Sequence, residues 1–210
     1  AYQAQCDYRR ANDCLVQSMA SFDGERRHER FGDVFLPVVA SRARLAWCYA
    51  ELGMFPEGRV LGGEGLRIAE AVAHPASVIF ASWGIGLLSF RQGDLPRALP
   101  RLERAISLCQ EADLPALFPL IAAALGAAYT LGGRVADAVA LLSQALEQAT
   151  AAEMIGRQAL CSLSLGEAQV LAGSLEDAHA LAERALTLAR AHQERGNEAY
   201  ALHLLGEIAA

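Results

Sequence analysis

Histidine and cysteine are the residue types in this sequence that could bind a metal ion, transfer protons or act as nucleophiles. The five histidines show no metal-ligand spacing, and no two of the five cysteines have the two-residue gap of a zinc or redox motif. His203 and Glu207 are four residues apart and share one helical face, but the sequence offers no further ligands beside them. We therefore predict no metal site and expect reduced, small, buried cysteines.

Lysine is absent from the sequence, and all eighteen basic residues are arginine. A phosphate-binding loop ending in Gly-Lys-Ser/Thr, a Schiff base and a kinase-type lysine are therefore excluded. The glycine cluster GGEGL at 62–66 could resemble a phosphate cradle, but no strand precedes it and it falls inside a predicted helix. The sequence predicts no catalytic residue and no cofactor.

Charge and hydropathy narrow the function classes further. The net charge of −6 argues against a general nucleic-acid binder, which needs a basic face. The arginine-rich stretch GERRHERFG at 24–32 also contains two glutamates, so we expect a solvated loop there rather than an anion site. No apolar run approaches the ~20 residues that a bilayer requires, and the start AYQAQCDYRR does not resemble a signal peptide. We expect a cytoplasmic protein without a membrane partner.

A period of forty residues runs through the sequence. The similar segments RQGDLPRALPRLERAISLC, LGGRVADAVALLSQALEQA and LAGSLEDAHALAERALTLA begin at 91, 131 and 171. We call a set of positions forty residues apart a column. Four columns hold small residues: Gly53, Gly93, Gly133 and Gly173; Ala46, Gly86, Gly126, Gly166 and Gly206; Gly58, Ala98, Ala138 and Ala178; Gly65, Ala105, Ala145 and Ala185. A fixed period of this length is typical of a solenoid.

Each unit is predicted to contain two helices, which we call helix A and helix B. Helix A should end at the Gly53 column, where glycine can adopt the left-handed conformation of a helix C-terminus. Helix B should begin directly afterwards, with Asp94 and Ser174 as suitable N-caps. Pro100 falls inside one helix B, and we expect it to kink that helix without breaking it.

The sequence predicts one domain over 1–210, divided into units at about 1–33 (partial), 34–73, 74–113, 114–153, 154–193 and 194–210 (partial). Cys6 falls in the Gly53 column, so the first partial unit should be a helix B without its helix A. Because both ends cut through units, we expect a piece of a longer array. The small columns should let helices A and B approach closely, while Leu102 and Leu142 fill the space against the next unit.

The columns contain the Leu-Gly pairs 125–126, 165–166 and 205–206, the Ile-Gly pair 85–86, and Tyr49, Tyr129, Ala98 and Ala105. With these residues nearly the whole chain resembles the tetratricopeptide repeat (TPR) family. The period is forty rather than thirty-four, and the early helix-A tryptophan of the family is missing from its column. The resemblance implies an all-α, right-handed α-solenoid of antiparallel helix pairs.

Four segments, LRIAEAVAHP, LERAISLCQ, LAERALTLAR and ERGNEAYALHLLGEIAA, are similar to the C-terminal repeats of bacterial adenylate/guanylate cyclase-like ATPases and related large ATP-dependent transcription regulators. This resemblance implies a non-catalytic signal-transduction scaffold that binds a protein, a peptide or other domains of its parent chain. Two alternatives stay open at this point. The chain could be a self-associating structural module, forming a homo-oligomer, or a regulatory part of a nucleotide cyclase.

In TPR arrays helix A lines the concave groove, so the resemblance places partner-binding residues on one face of each helix A. We call the following set the groove residues: Trp47, Glu51, Trp83, Leu87, Phe90, Arg91, Thr130, Glu167, His203 and Glu207. Aromatic residues and arginine are enriched at binding hot spots, although both tryptophans could instead belong to the core. A lysine-dependent carboxylate clamp is not expected. An apolar or mixed groove for a peptide, a helix or a neighbouring domain fits better.

Overall fold

The computed structural model describes residues 2, 3, 5–22, 29 and 32–210. This part of the chain contains no strand, and its secondary structure is ten α-helices and a 3-10 helix at Pro115–Leu117. The α-helices are α1 (Tyr8–Phe22), α2 (Pro37–Glu51), α3 (Phe55–Ala71), α4 (Pro75–Arg91), α5 (Leu95–Glu111), α6 (Phe118–Leu131), α7 (Val135–Ala151), α8 (Ile155–Leu171), α9 (Leu175–Ala191) and α10 (Arg195–Ala209). The predicted all-α class is confirmed.

None of the helices described is both long and apolar enough to traverse a lipid bilayer. The arginine-rich stretch 24–32, predicted to be a solvated loop, lies outside the described residues apart from Glu29 and Gly32.

The helices gather into two compact units, which we call the amino-terminal unit (Asp7–Leu117, α1–α5) and the carboxyl-terminal unit (Phe118–Ala210, α6–α10). Within each unit, consecutive helices pack against each other as antiparallel pairs. The even-numbered helices are the A helices of the repeat. They also pack side by side, with α2 against α4 in one unit and α6 against α8 in the other. This is the packing of a helical repeat, in which each pair buries its apolar face against the next. The predicted single domain over 1–210 stays a prediction.

The turn between helix A and helix B depends on the glycine column. Gly53, Gly93, Gly133 and Gly173 all have positive φ, between 73° and 81°. After each glycine the next N–H bonds to a carbonyl five residues back, as from Met54 N to Tyr49 O over 2.8 Å, which closes the end of helix A. The predicted left-handed glycines are confirmed. Cys6, assigned to the same column, also has a positive φ of 58°.

A second left-handed column follows α3, α5, α7 and α9, the B helices whose C-terminal turns the structure describes, and the sequence did not reveal it. It is occupied by residues other than glycine: Ala73, Asp113, Glu153 and Gln193, with φ between 50° and 56°. The hydrogen bonds are of the same kind, as from His74 N to Ala69 O over 3.2 Å. A Cβ is disfavoured in this conformation, so each of these turns carries a small conformational cost.

We expect Ala73→Gly to raise the free energy of unfolding by about 0.5–1 kcal/mol. Relief of the left-handed strain exceeds the entropy that glycine adds to the unfolded chain. Urea denaturation followed by circular dichroism measures the change. Gly53→Ala is the matched control and should destabilise, since it places a Cβ at φ +73°. A loss of stability in Ala73→Gly would contradict this account of the second column.

Close contact between helix A and helix B is made by leucines that lie over glycines. A Cβ added to Gly86 would come within 2.7 Å of Leu102 Cδ2, and one added to Gly126 would overlap the side chain of Leu142. Leu102 and Leu142 are fully buried. The close approach is therefore as predicted, but these leucines lie over the glycine of their own pair rather than only filling space towards the next unit.

Three local expectations for helix B can be compared with the structure. The Asp94 side chain accepts a hydrogen bond from Arg97 N over 3.3 Å and caps α5, whereas the Ser174 side chain makes no capping bond to α9. The cap predicted at Ser174 is therefore wrong. Helix α5 continues through Pro100 without a break. The glycine cluster at 62–66 lies inside α3, as predicted.

The five cysteines fall into two groups, so the prediction that all are buried is wrong in part. Cys48, Cys109 and Cys161 are buried, while Cys6 and Cys14 are exposed. Burial raises the pKa of the Cys161 thiol to about 12, against a smaller opposing effect of Arg157. Burial also raises the pKa of Cys109. Cys109 and Cys161 are therefore held in the neutral form, which is a poor nucleophile.

We expect an aromatic disulfide reagent at pH 8 to modify two thiols quickly, those of Cys6 and Cys14. Cys161 should react only after unfolding, because its thiolate fraction stays small until the pH approaches about 12. Absorbance of the released thiolate in native and denatured protein gives the two counts. In a Cys6→Ser, Cys14→Ser variant the fast phase should vanish, and a remaining fast thiol would contradict the assignment.

Candidate functional site

Five aromatic side chains of the amino-terminal unit form one continuous cluster, which we call the aromatic cluster. Phe35 stacks on Phe80 with ring centroids 4.5 Å apart, and Phe80 stacks on Trp83 at 5.1 Å. Trp83 meets Trp47 edge-on at 5.9 Å, and Trp47 meets Tyr8 edge-on at 6.3 Å. These offset and edge-on arrangements are the favourable ones for aromatic pairs, and they fix the rings between α1, α2 and α4.

The cluster runs from the interior to the surface. Trp83 is only 3% exposed, whereas Trp47 is half-buried. At the inner side the guanidinium carbon of Arg44 lies 5.3 Å from the Phe80 ring centroid. Burial lowers the pKa of Arg44, and the nearby charge of Asp33 partly offsets this effect. Trp83 therefore belongs to the core of this unit, and its side chain is not open to a partner in this conformation.

The half-buried side of the cluster meets a charged pair at the ends of α2 and α4. Trp47 Nε1 donates to Glu51 Oε1 over 3.1 Å, and Arg91 Nε donates to the same oxygen over 3.0 Å. The Arg91 guanidinium carbon also lies 5.6 Å from the Phe90 ring centroid. We call Trp47, Glu51, Phe90 and Arg91 the edge cluster. It brings aromatic surface, a carboxylate and a guanidinium together on one open edge.

The remaining groove residues of this unit lie beneath the edge cluster or away from it. Leu87 is buried like Trp83. The six groove residues of the amino-terminal unit therefore divide into four that are at least partly exposed and two, Trp83 and Leu87, that are buried. Buried and surface residues on one face of a helix have the same sequence spacing, so the column pattern placed all six in one set.

The carboxyl-terminal unit holds the other four groove residues, and they do not form a similar cluster. Thr130 is buried, and its hydroxyl donates to Gly126 O over 2.9 Å. Glu167 is exposed. His203 and Glu207 are exposed, with Nδ1 and Oε2 3.7 Å apart. Among the described residues, no third histidine, cysteine or carboxylate joins them in a group suited to a metal ion.

Sequence reasoning missed part of this arrangement. Tyr8, Phe35 and Phe80 were not assigned to the face, because they belong to none of the columns from which the repeat was identified. A signal for the edge cluster was present: Glu51 and Arg91 have opposite charges and are forty residues apart. Residues of one column on adjacent A helices are neighbours, so a salt bridge between them could have been predicted.

Two exposed leucines mark the same column in the carboxyl-terminal unit. Leu131 and Leu171 are 60% and 61% exposed, at the ends of α6 and α8. They occupy the positions that Glu51 and Arg91 take in the other unit. Val170, next to Leu171, is half-buried. The end of helix A therefore presents an apolar edge here in place of a charged one.

No family model matches the sequence, and no curated protein matches it. Solved structures with a similar fold were found. A Rap protein, solved in complex with the Competence and Sporulation Factor, has a TM-score of 0.64 and 14% identity; the match covers 99% of this chain and 60% of that chain.

Two further structures carry the repeat in their descriptions. A signal-transduction ATPase with numerous domains (STAND) and a TPR sensor, from Pyrococcus horikoshii, has a TM-score of 0.62 and 14% identity, with 80% of this chain and 26% of that chain covered. Nearly identical TPR-like repeats from Podospora anserina have a TM-score of 0.59 and 21% identity, with 91% of each chain covered. This chain spans about 60% of the Rap protein's length and about a quarter of the ATPase's. Its fold is that of TPR-like helical repeats.

Proposed function

We propose that this chain is a non-catalytic interaction module that binds a protein segment or another domain of its parent protein. The observation that carries the proposal is the edge cluster, which places Trp47, Phe90 and Arg91 together on an open edge of the amino-terminal unit. Aromatic residues and arginine dominate binding hot spots, because they supply large contact area and directional hydrogen bonds. The similar Rap protein was solved with the Competence and Sporulation Factor bound, which supports this class of function.

The edge cluster defines the chemistry of the partner. The half-buried faces of Trp47 and Phe90 would take apolar side chains, and the exposed guanidinium of Arg91 would take a carboxylate or a backbone carbonyl. The buried rings of Phe80 and Trp83 hold Trp47 in place, so the surface is largely preorganised. Preorganisation reduces the entropy lost on binding. A short amphipathic segment with an acidic residue fits these features.

In the carboxyl-terminal unit, the exposed Leu131 and Leu171 supply a separate apolar contact. Large apolar side chains that stay in water at corresponding positions of successive repeats are typical of interaction surfaces. We assign them to a second contact, made within the carboxyl-terminal unit.

The parent protein in this proposal is a larger bacterial signalling or regulatory ATPase. Two observations support it: the sequence similarity of four segments to the repeats of cyclase-like ATPases, and the TPR sensor fold of the STAND ATPase. In such a protein the repeats would relay a bound state to an output domain. If the output domain is a nucleotide cyclase, the repeats would be a regulatory part of that cyclase.

A peptide-display selection on the immobilised chain tests the proposal. Sequences enriched on the wild type should contain apolar residues and a carboxylate, and should be lost on a Trp47→Ala, Arg91→Ala variant. Arg97→Gln is the matched control, because Arg97 is an exposed arginine of α5 paired with Asp94. Enrichment that is absent, or equal on wild type and variant, would contradict binding at the edge cluster.

Self-association is a second candidate, favoured by exposed apolar residues on α10. Tyr200 and Leu202 are both exposed. Light scattering after gel filtration measures the mass directly. A dimer that is lost in Leu202→Asp but kept in Trp47→Ala would favour self-association through this helix, and a monomer at all concentrations would exclude it.

A further inference from the structure

A cleft of about 580 Å³ lies within the amino-terminal unit, at the end of α3 and between α4 and α5. It is separate from the edge cluster and shares none of its residues. Its volume is in the range of small-molecule sites. Polar side chains in its lining are Ser82 from α4, Arg101 and Arg104 from α5, and Glu70 from α3.

Ser82 places its hydroxyl group on the wall of the cleft. Its side chain is 4% exposed and lines the cleft, and its hydroxyl forms no hydrogen bond with any described residue. A serine inside a helix commonly bonds to the carbonyl four residues back, as Ser21 and Ser107 do here. The Ser82 hydroxyl is therefore left with unused donor capacity on the wall of the cleft.

Arg101 and Arg104 stand on the same face of α5, since they are three residues apart. In the part of the chain that the structure describes, neither forms an ion pair or a side-chain hydrogen bond. Both are exposed and free to turn into the cleft. Glu70 is the one acidic residue in the lining, so the cleft carries an excess of positive charge.

The preceding repeat has an internal ion pair at this place. In the columns of Ser82 and Arg104 it has Arg42 and Glu64. Arg42 is 2% exposed, and its Nη2 pairs with Glu64 Oε1 over 3.2 Å while its Nη1 donates to Val38 O over 3.2 Å. In the cleft, the long side chain of helix A is replaced by Ser82, and the charge on helix B is reversed at Arg104. In this repeat the ion pair is therefore absent, and helix A offers Arg104 no carboxylate at position 82.

A later repeat shows how an arginine in the Arg104 column binds oxygen atoms. Arg184 Nη2 donates to Thr150 Oγ1 over 2.9 Å and to Gln158 Oε1 over 3.1 Å. At the cleft, the column of Gln158 holds Val78, which offers no side-chain acceptor. An arginine at position 104 is long enough to reach the corresponding positions, but it finds one side-chain acceptor fewer there than Arg184 does.

We propose that this cleft binds a small organic phosphate with an apolar body. The phosphate oxygens accept hydrogen bonds from the guanidinium groups of Arg101 and Arg104 and from the Ser82 hydroxyl. The apolar body lies against Val78 and Leu108, with the ring of Pro100 as a further apolar wall. This site is independent of the protein-binding function proposed above.

Phenyl phosphate titrated into the full chain, followed by calorimetry and by amide chemical shifts, tests the proposal. Saturable binding is expected, with the largest shifts at Ala73, Ser82 and Leu108. Arg101→Gln with Arg104→Gln should weaken binding about tenfold or more, because hydrogen bonds to charged groups are lost. Arg97→Gln on the same helix should leave binding unchanged. Circular dichroism should show an unaltered fold, since the arginines are exposed.

Two further variants separate this site from general attraction of anions. Val78→Gln copies the Gln158–Arg184 arrangement, so it should occupy Arg104 internally and weaken binding. Glu70→Gln should tighten binding by removing the negative charge in the lining. Equal affinity of wild type and the double arginine variant, shifts confined to other residues, or inorganic phosphate binding as tightly as phenyl phosphate would each overturn the proposal.

Discussion

Trp83→Ala is expected to lower the free energy of unfolding by about 3–5 kcal/mol, the usual cost of removing a large buried aromatic side chain. Trp83 is 3% exposed and contacts both Phe80 and Trp47 within the aromatic cluster. Removing it would leave a cavity between α2 and α4, which the neighbouring rings can fill only in part. Urea denaturation followed by circular dichroism measures the loss without depending on the deleted fluorophore.

Trp47→Ala is the matched control for this prediction. Trp47 is half-buried and its indole N–H is bonded to Glu51, so the loss of stability should be clearly smaller. Its effect should appear in partner binding instead. A Trp83→Ala variant that loses less than about 1 kcal/mol would show that the ring is not part of the core, because such values are typical of surface changes.

Leu142→Ala should destabilise the chain by about 2–5 kcal/mol, since Leu142 is fully buried over Gly126. Gly126→Ala should also destabilise, by about 1–2 kcal/mol, because its Cβ would overlap Leu142 and this overpacking exceeds the gain in helix propensity. Both values come from urea denaturation of the single variants.

The double variant is the sharper experiment. With Leu142 shortened, the methyl group introduced at position 126 has room, so the double variant should be at least as stable as Leu142→Ala alone. The chain already contains such a small-on-small pair, Ala46 with Gly62. Gly206→Ala is the control in the same column, because a Cβ there meets nothing. Strictly additive losses at 126 and 142 would contradict direct contact between them.

The periodic features of this fold were predictable because a column records a physical requirement that recurs. The left-handed glycines recur at every turn from helix A to helix B, and small residues recur in the Gly86 column, so both are visible as repeated residue types. The left-handed column at Ala73 escaped notice, since four different residue types occupy it and the strain is tolerated rather than avoided. A backbone conformation that different residue types can adopt produces no repeated residue in the sequence.

Features that occur once could not be predicted in the same way. The burial of Trp83 depends on Phe35 and Phe80, and the adjacent repeats have no aromatic residue in either of these two columns. Ser174 failed as a cap although its residue type is suitable, because cap formation depends on a rotamer and not on composition. The groove residues divide between core and surface for a similar reason. Helix periodicity predicts which face of the helix a side chain lies on, whereas its burial depends on the neighbouring residues.

The leucine-over-glycine contacts have a consequence for how this array can be rearranged by recombination. A deletion of forty residues whose crossover lies at the turn between two helix pairs removes a whole pair and keeps each leucine with its own glycine. A crossover inside helix A, joining residue 46 to residue 87, would place the methyl group of Ala46 beneath Leu102, where Gly86 had left space. Gains and losses of repeats that keep the protein folded should therefore have their junctions at the turns. A forty-residue deletion at any other position would also keep the columns aligned, but it would exchange residues within a packed helix pair.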